Sequence, residues 1–257
     1  MNPSVEALKK AIEECSLEER KELLEFLRAR VPPHPLELEW AIDGDDVLSS
    51  IHRAADLSKR GVRGLIAEFM FDRDVLPSVR ENGWKLVSIP KGDWPYDSLV
   101  ERNGRRVSIQ IKLQRLAAGQ PKQFWKNAYT DTFYYEVEVQ KTRSGKKRKV
   151  KGAATSVDQQ ILVDTRPYPF GAFDILAVNM QPATRKWSEF RFTLGSWLLE
   201  RPDAPSLIEI HQPVALNPGD TWTDNLNTCL EWFLKGEKKK ILAEIKHKPR
   251  PRKKNGS

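Results

Sequence analysis

Cysteine, histidine and long apolar runs are all scarce in this sequence. Among its 257 residues are two cysteines, Cys15 and Cys229. They are too few and too far apart in sequence for a disulfide framework or a cysteine metal centre. The four histidines, His34, His52, His211 and His247, show no ligand spacing, which argues against a zinc site. No apolar run approaches the ~20 residues that span a bilayer. The N-terminus alternates charged and apolar residues and so lacks a signal segment. Internal repeats are absent. These absences predict a soluble, cytoplasmic protein with no membrane association.

Apolar bulk and positive charge are present. Hydrophobic residues make up 39%, with 8 Trp and 10 Phe, enough for a real core in one large domain or two small ones. Lys and Arg number 43 against 35 Asp and Glu, a net charge of +8 and a pI near 9.4. That balance favours a polyanionic partner, nucleic acid first. It does not tell DNA from RNA, and part of the excess lies in the last dozen residues.

Taken in order, the chain opens with two helices over residues 4 to 31. Ser4 caps the first, and Ser16 with Glu19 forms a capping box for the second. Leu17, Leu23, Leu24, Leu27 and Val31 then recur at helical spacing, and Pro32 to Pro35 stops the run. Residues 1–40 are thus expected to form a helical hairpin, packed on the main body or on a second copy. Residues 41–235 form the main domain, and 236–257 a basic helix end and disordered tail. Another helix is expected over 44 to 58. The apolar run Leu65 to Phe71 contains Glu68, which either shares an exposed stripe with Asp72 or turns inward. Pro77 interrupts this helix and Asn82-Gly83 ends it. Strands are expected at Trp84–Ile89, Phe133–Lys141, Ile161–Val163, Phe173–Val178 and Leu207–Ile210. Partial helix is expected from 113 to 126, and a helix from Asp220 to Leu234, capped near Thr221 and Asp224.

The most informative stretch runs from Pro95 to Lys112. Asn103-Gly104 is the signature of a two-residue type I′ hairpin, whose central positions need positive φ. That turn sets Asp97 directly opposite Gln110. Lys112 lies two residues further on, on the same face. Val100, Val107, Ile109 and Ile111 fall on the other face and belong in a core. A carboxylate, an amide and an amine on one side of an apolar strand pair cost desolvation energy. A metal ion and a phosphate would compensate it; otherwise the trio is a solvated hairpin edge.

Asp97 followed by Gln110-Ile111-Lys112 resembles the PD-(D/E)xK nuclease superfamily over roughly residues 60 to 115. Tyr96-Asp97 stands in place of Pro-Asp. The Gln-x-Lys variant is similar to that of Mrr-like restriction enzymes and of cyanobacterial group I intron homing endonucleases. Gly64-Leu-Ile-Ala-Glu68 resembles the helix that precedes the catalytic sheet. The resemblance implies an α/β fold: a restriction-endonuclease-like mixed central sheet flanked by helices, here with an N-terminal helical hairpin. It also implies Mg2+-dependent hydrolysis of DNA phosphodiester bonds in a prokaryotic, nucleoid-associated enzyme. Asp97 would hold the metal, Glu68 would hold it directly or through water, and Gln110 and the Ile111 carbonyl would add neutral oxygens. Lys112 would orient or deprotonate water and stabilise the phosphorane charge.

Given such a nuclease, two basic segments are candidates for contact with double-stranded DNA. One is Thr142 to Lys151, with Arg143, Lys146, Lys147, Arg148 and Lys149. The other is Arg185 to Thr193, with Arg185, Lys186 and Arg191. The strand-rich C-terminal half favours a sequence-specific type II restriction enzyme. A homing or structure-specific repair nuclease, a DNA-binding module without catalysis, and an RNA-processing protein are the other readings. One motif per chain cuts one strand, so a homodimer is expected.

Overall fold

The computed structural model describes residues 4–126, 133–141, 148–150, 161–163 and 166–241. They fall into two compact units, residues 1–61 and 62–257.

The first unit contains α1 (Val5–Glu14), α2 (Leu17–Arg28), α3 (Pro35–Trp40) and α4 (Gly44–Arg53). Local chemistry sets each start. The Ser4 hydroxyl accepts from the Ala7 amide at 3.2 Å. Ser16 and Glu19 form the expected reciprocal pair, at 2.8 and 3.3 Å. The proline cluster ends α2, as read from the sequence. It also starts α3, which the sequence reading missed. Pro35 sits at the first helical position, where its missing N–H is no loss. His34 Nδ1 accepts from the Leu36 amide at 3.1 Å. The helix expected over 44 to 58 breaks at Ala54, where the backbone turns extended. None of these four helices has a buried residue: Leu17, Leu24, Leu27 and Val31 remain exposed.

The second unit is a mixed α/β structure. α5 (Asp56–Asp74) runs into it, and α6 (Leu76–Glu81) follows with Pro77 in its first turn. Its strands include β1 (Lys85–Leu86), β2 (Ser98–Arg102), β3 (Arg105–Leu113), β4 (Gln123–Lys126), β5 (Phe133–Glu138), β6 (Ile175–Asn179), β7 (Phe190–Leu194) and β8 (His211–Ala215), and α7 (Leu226–Leu234) closes it. The central sheet has the order β1-β2-β3-β6-β7, with β3 and β6 parallel and the other pairs antiparallel. A second sheet has the order β8-β5-β4. The expected mixed central sheet flanked by helices is therefore present.

The β2–β3 hairpin turns through Asn103 and Gly104 at φ 51° and 75°. Ser98 faces Ile109 and Val100 faces Val107, the register that the turn dictates. Asp174 starts the parallel pair: its Oδ2 accepts from the Ser108 amide and hydroxyl at 2.8 and 2.7 Å. Every residue of β6 is buried, as a parallel strand covered on both faces should be. Val107, Ile109 and Ile111 join Phe71 of α5, Leu76 and Val79 of α6, and Leu226 and Leu230 of α7 in one core. Each such side chain contributes roughly 1.5–3 kcal/mol on burial. Phe71 meets Phe190 edge-on at 5.8 Å, which seats α5 on the sheet.

Three sequence expectations are corrected here. Residues 113 to 126 are strand and hairpin rather than part helix: Ala118 and Gly119 take φ of 49° and 73° between Leu116–Ala117 and Gln120–Pro121. The strand over Trp84–Ile89 shrinks to Lys85–Leu86. The last helix begins at Leu226, because Asn225 rather than Thr221 or Asp224 supplies the cap, to the Thr228 amide at 3.3 Å. β8 has no counterpart in the sequence reading. Its Pro213 is tolerated because β8 is an edge strand. No helix of the described residues is long and apolar enough to cross a membrane.

Two glycines give opposite expectations. A Cβ on Gly195 would lie 2.6 Å from the Phe173 carbonyl oxygen and 3.2 Å from its ring. Gly195→Ala should therefore lose roughly 1–3 kcal/mol in urea unfolding. Gly64, inside α5, has open space around it, so Gly64→Ala should gain ~0.5–1 kcal/mol. Equal midpoints for the two variants would contradict this packing.

Candidate active site

The site is assembled where α5 and the β2–β3 hairpin face each other. Asp97, just before β2, donates its amide to the Ile109 carbonyl at 2.9 Å and so extends the ladder by one bond. Its carboxylate then curls onto β3. Oδ2 accepts from the Ile111 amide at 2.7 Å and from Gln110 Nε2 in a short contact. Oδ1 accepts from no described residue. Gln110 is 2% exposed, and its nitrogen also donates to the Ile111 carbonyl at 3.2 Å. Its oxygen accepts from the Tyr168 hydroxyl at 3.4 Å. Lys112 is half-buried, with its Nζ 6.0 Å from the centre of the Tyr168 ring. From α5, Glu68 turns inward and is half-buried, while Leu65 and Phe69 take the exposed side.

The electrostatics tie these groups together. Burial pushes Glu68 up to about 7, and Asp97 and Asp72 add to the rise while Lys112 opposes it. Crowding by surrounding protein raises Asp97 above the usual carboxylate range against the pull of Lys112, the Ile111 amide and Gln110. Asp97 is open to solvent on one side, which tempers that rise. Burial lowers Lys112, although Asp97, Glu68 and Glu138 all favour its charged form. Each ionisable group is thus shifted toward neutrality. Among the described residues no ion pair joins Lys112 to these carboxylates, which reach it only through longer-range attraction.

The structure brings Glu68, Asp97, Gln110 and Lys112 to one place, with the Ile111 carbonyl beside them. It differs from the sequence reading in one respect. The Gln110 amide turns its nitrogen, not its oxygen, toward Asp97, and the Ile111 carbonyl is taken up by that same nitrogen. Two participants had not been foreseen. Tyr168 lies between Pro167 and Pro169 outside any periodic segment, so the sequence offered no signal for it. Burial, with Asp97 and Asp93, pushes its hydroxyl up to about 12. Glu138 was legible only as the outward face of a strand whose Val137 and Val139 point inward.

A second charged cluster borders the site. Burial works to raise the Glu136 pKa, yet hydrogen bonds from His211, Arg115 and Lys122 bring it to about 2. His211 Nδ1 lies 3.1 Å away and Lys122 Nζ 3.1 Å. These contacts fasten β5 to β8 and to the segment after β3.

The expected DNA contacts are distributed unevenly. Arg143, Lys146 and Lys147 lie outside the described residues. Arg148 and Lys149 belong to a short strand paired with Ile161–Val163. Arg185 and Lys186 are exposed, and Lys186 pairs with Glu189 at 3.0 Å. Arg191 is corrected: it is 7% exposed, and its guanidinium donates to the carbonyls of Leu216 and Phe190. Its donors are used inside the fold and do not face solvent. Among the described residues no group of three or more His, Cys, Asp and Glu is placed to hold a metal ion.

No family model matches the chain, and no curated protein does. Among solved structures, the bacterial homing endonuclease I-Ssp6803I is similar at 17% identity and a TM-score of 0.33, over 62% of this chain and 79% of that one.

Glu68 gives a pH test. Its folded pKa of about 7 lies above the ordinary 4.5, so between those values the folded state keeps a proton that the unfolded state has lost. Stability from this group therefore falls as pH rises across that window. Glu68→Gln should raise the thermal midpoint at pH 8 by about 2–4 °C, equivalent to ~1 kcal/mol once partial exposure is allowed for. It should leave pH 4 unchanged. A lower midpoint at pH 8 would show that the Glu68 carboxylate is held by a favourable partner.

Proposed function

We propose that this chain is a Mg2+-dependent DNA endonuclease of the site-specific, type II restriction kind. The observation that carries the reading is the convergence of Glu68 from α5 with Asp97, Gln110 and Lys112 on one hairpin face.

The donors suit a hard cation. Oδ1 of Asp97 and the Glu68 carboxylate would be oxygen ligands; burial raises both pKa values and Asp97 adds to the rise at Glu68, a cost that a divalent cation would reverse. Two carboxylates with neutral oxygens nearby match Mg2+, which keeps several waters. A half-turn of the Gln110 carboxamide would present its oxygen as a third ligand. The Tyr168 hydroxyl, both donor and acceptor, would keep a partner in either orientation. When bound, Mg2+ would supply Lewis-acid polarisation of the phosphoryl oxygen.

The chain's own residues do the rest. The Ile111 amide and Gln110 fix the Asp97 carboxylate against rotation. Lys112, with its pKa lowered by burial, accepts a proton from the attacking water or holds the developing phosphorane charge. Tyr168 and Phe173, packed edge-on at 5.5 Å, wall off the far side.

Asp97→Ala and Lys112→Ala should each lower plasmid cleavage by roughly a thousandfold or more while leaving duplex binding near wild type. Incubation of pure protein with supercoiled plasmid and Mg2+ tests this. Discrete fragments support the site-specific enzyme, and cleavage by either variant at wild-type rate would sink the assignment. A second reading, a DNA-binding module without catalysis, draws on the Gln110 nitrogen locked on Asp97; binding without cutting would favour it. Mg2+ at millimolar concentration should also raise the thermal midpoint of the wild type at pH 8 and not that of Asp97→Ala. Equal shifts in both would remove Asp97 from the metal site.

A further inference from the structure

Arg63 and Arg185 form a cation pair that the site described above does not use. Arg63 lies on α5 five residues before Glu68, about 7 Å along the helix axis. It is half-buried, and its single hydrogen bond to a described residue runs from Nη2 to Gln181 Oε1 at 3.3 Å. Arg185 closes the helical turn Gln181–Thr184, with its amide donating to the Gln181 carbonyl at 2.8 Å. Gln181 thus receives one arginine on its side chain and the other on its backbone. The two guanidiniums are close enough that Arg185 opposes the charging of Arg63, which burial already disfavours. Neither has a carboxylate partner among the described residues, in contrast to Lys186 with Glu189.

Arg185 also holds a left-handed backbone, φ 63° and ψ 13°. That conformation is the common left-handed termination of a helical turn, and it fixes where the chain leaves the turn. The turn is firmly seated. Gln114, two residues beyond Lys112, accepts from the Ala183 amide at 3.0 Å, and Asn179 Oδ1 accepts from the Gln181 amide at 3.0 Å. The pair therefore stands at the carboxyl ends of the parallel strands β3 and β6, where α/β sheets commonly receive ligands. Two guanidinium forks with unspent donors, on a rigid support and short of negative charge, match a phosphate.

We propose that Arg63 and Arg185 together grip one backbone phosphate of a DNA duplex, next to the phosphodiester that Asp97 and Lys112 act on. The proposal rests on the nuclease reading for its choice of polyanion. Gripping a neighbouring phosphate fixes the register of the strand over Lys112 and carries no base information.

The test uses the full chain in EDTA, so that no cutting occurs, with a fluorescent DNA duplex titrated by anisotropy over a range of salt. Arg63→Met and Arg185→Gln should each weaken binding roughly tenfold and make the plot of log affinity against log salt shallower by about 0.9. The double variant should lose no more slope than either single one, because one phosphate is shared. Arg63→Met should melt no lower than wild type, since it relieves the repulsion between like charges; a structural role for Arg63 requires a lower midpoint. Unchanged slopes in a protein that cuts plasmid would overturn the phosphate grip and leave the nuclease reading intact. A wild type that neither binds nor cuts DNA would overturn both. Losses seen on an RNA duplex and not on DNA would overturn DNA as the occupant.

Discussion

Two donors on β3, the Ile111 amide and the Gln110 carboxamide, converge on one oxygen of Asp97, and the rest of the site follows from that. A carboxylate on the residue before a strand would ordinarily sample several rotamers. Here one oxygen is spent on the sheet, so the other has a defined direction. The ladder bond from Asp97 to Ile109 places the residue, and the type I′ turn at Asn103-Gly104 places the ladder. Asp174, clamped to Ser108, then sets the register in which β6 pairs alongside β3 in the sheet. The position of one carboxylate oxygen is in this sense the product of a turn, a register and a parallel pairing.

Burial and charge pull against each other around that oxygen. Removing Glu68 and Lys112 from water disfavours their charged forms, and their mutual attraction does not fully restore them. The cluster at Glu136 shows the opposite outcome a few residues away. Three donors surround that carboxylate, and the attraction overcomes burial. The difference is contact. Glu136 has direct hydrogen bonds to Arg115 and Lys122, whereas among the described residues no ion pair joins Glu68 or Lys112 to the charges that act on it. A satisfied cluster holds strands together, and an unsatisfied one is poised to receive something.

The hairpin was legible from sequence because one dipeptide dictates its turn and a strict alternation dictates its faces. Glu68 was legible as an anomaly, a charge within the apolar run from Leu65 to Phe71, although only the tertiary structure could show which way it points. Arg191 misled because strand alternation does not say which face of β7 is covered, and Leu216 supplies the carbonyl that captures it. Residues 113 to 126 misled because the left-handed turn at Ala118-Gly119 carries a weak signature, an alanine in place of an asparagine or aspartate. Tyr168 sits between two prolines and belongs to no repeating pattern. Its role depends on Phe173 and Gln110, residues that become its neighbours only once the chain has folded.

The side chains of β3 serve two masters by parity. Odd positions Val107, Ile109 and Ile111 fill the core, and even positions Gln110 and Lys112 face the proposed site. Length is therefore a heritable constraint on this strand in a way that composition is not. An inserted or deleted residue within it would turn the core outward and the reactive groups inward in a single event, so stability and chemistry would be lost together. Point changes can sample the even positions one at a time. A lineage carrying this strand is free to exchange its amide for an acid, but it can add new segments only beyond the ends of the ladder.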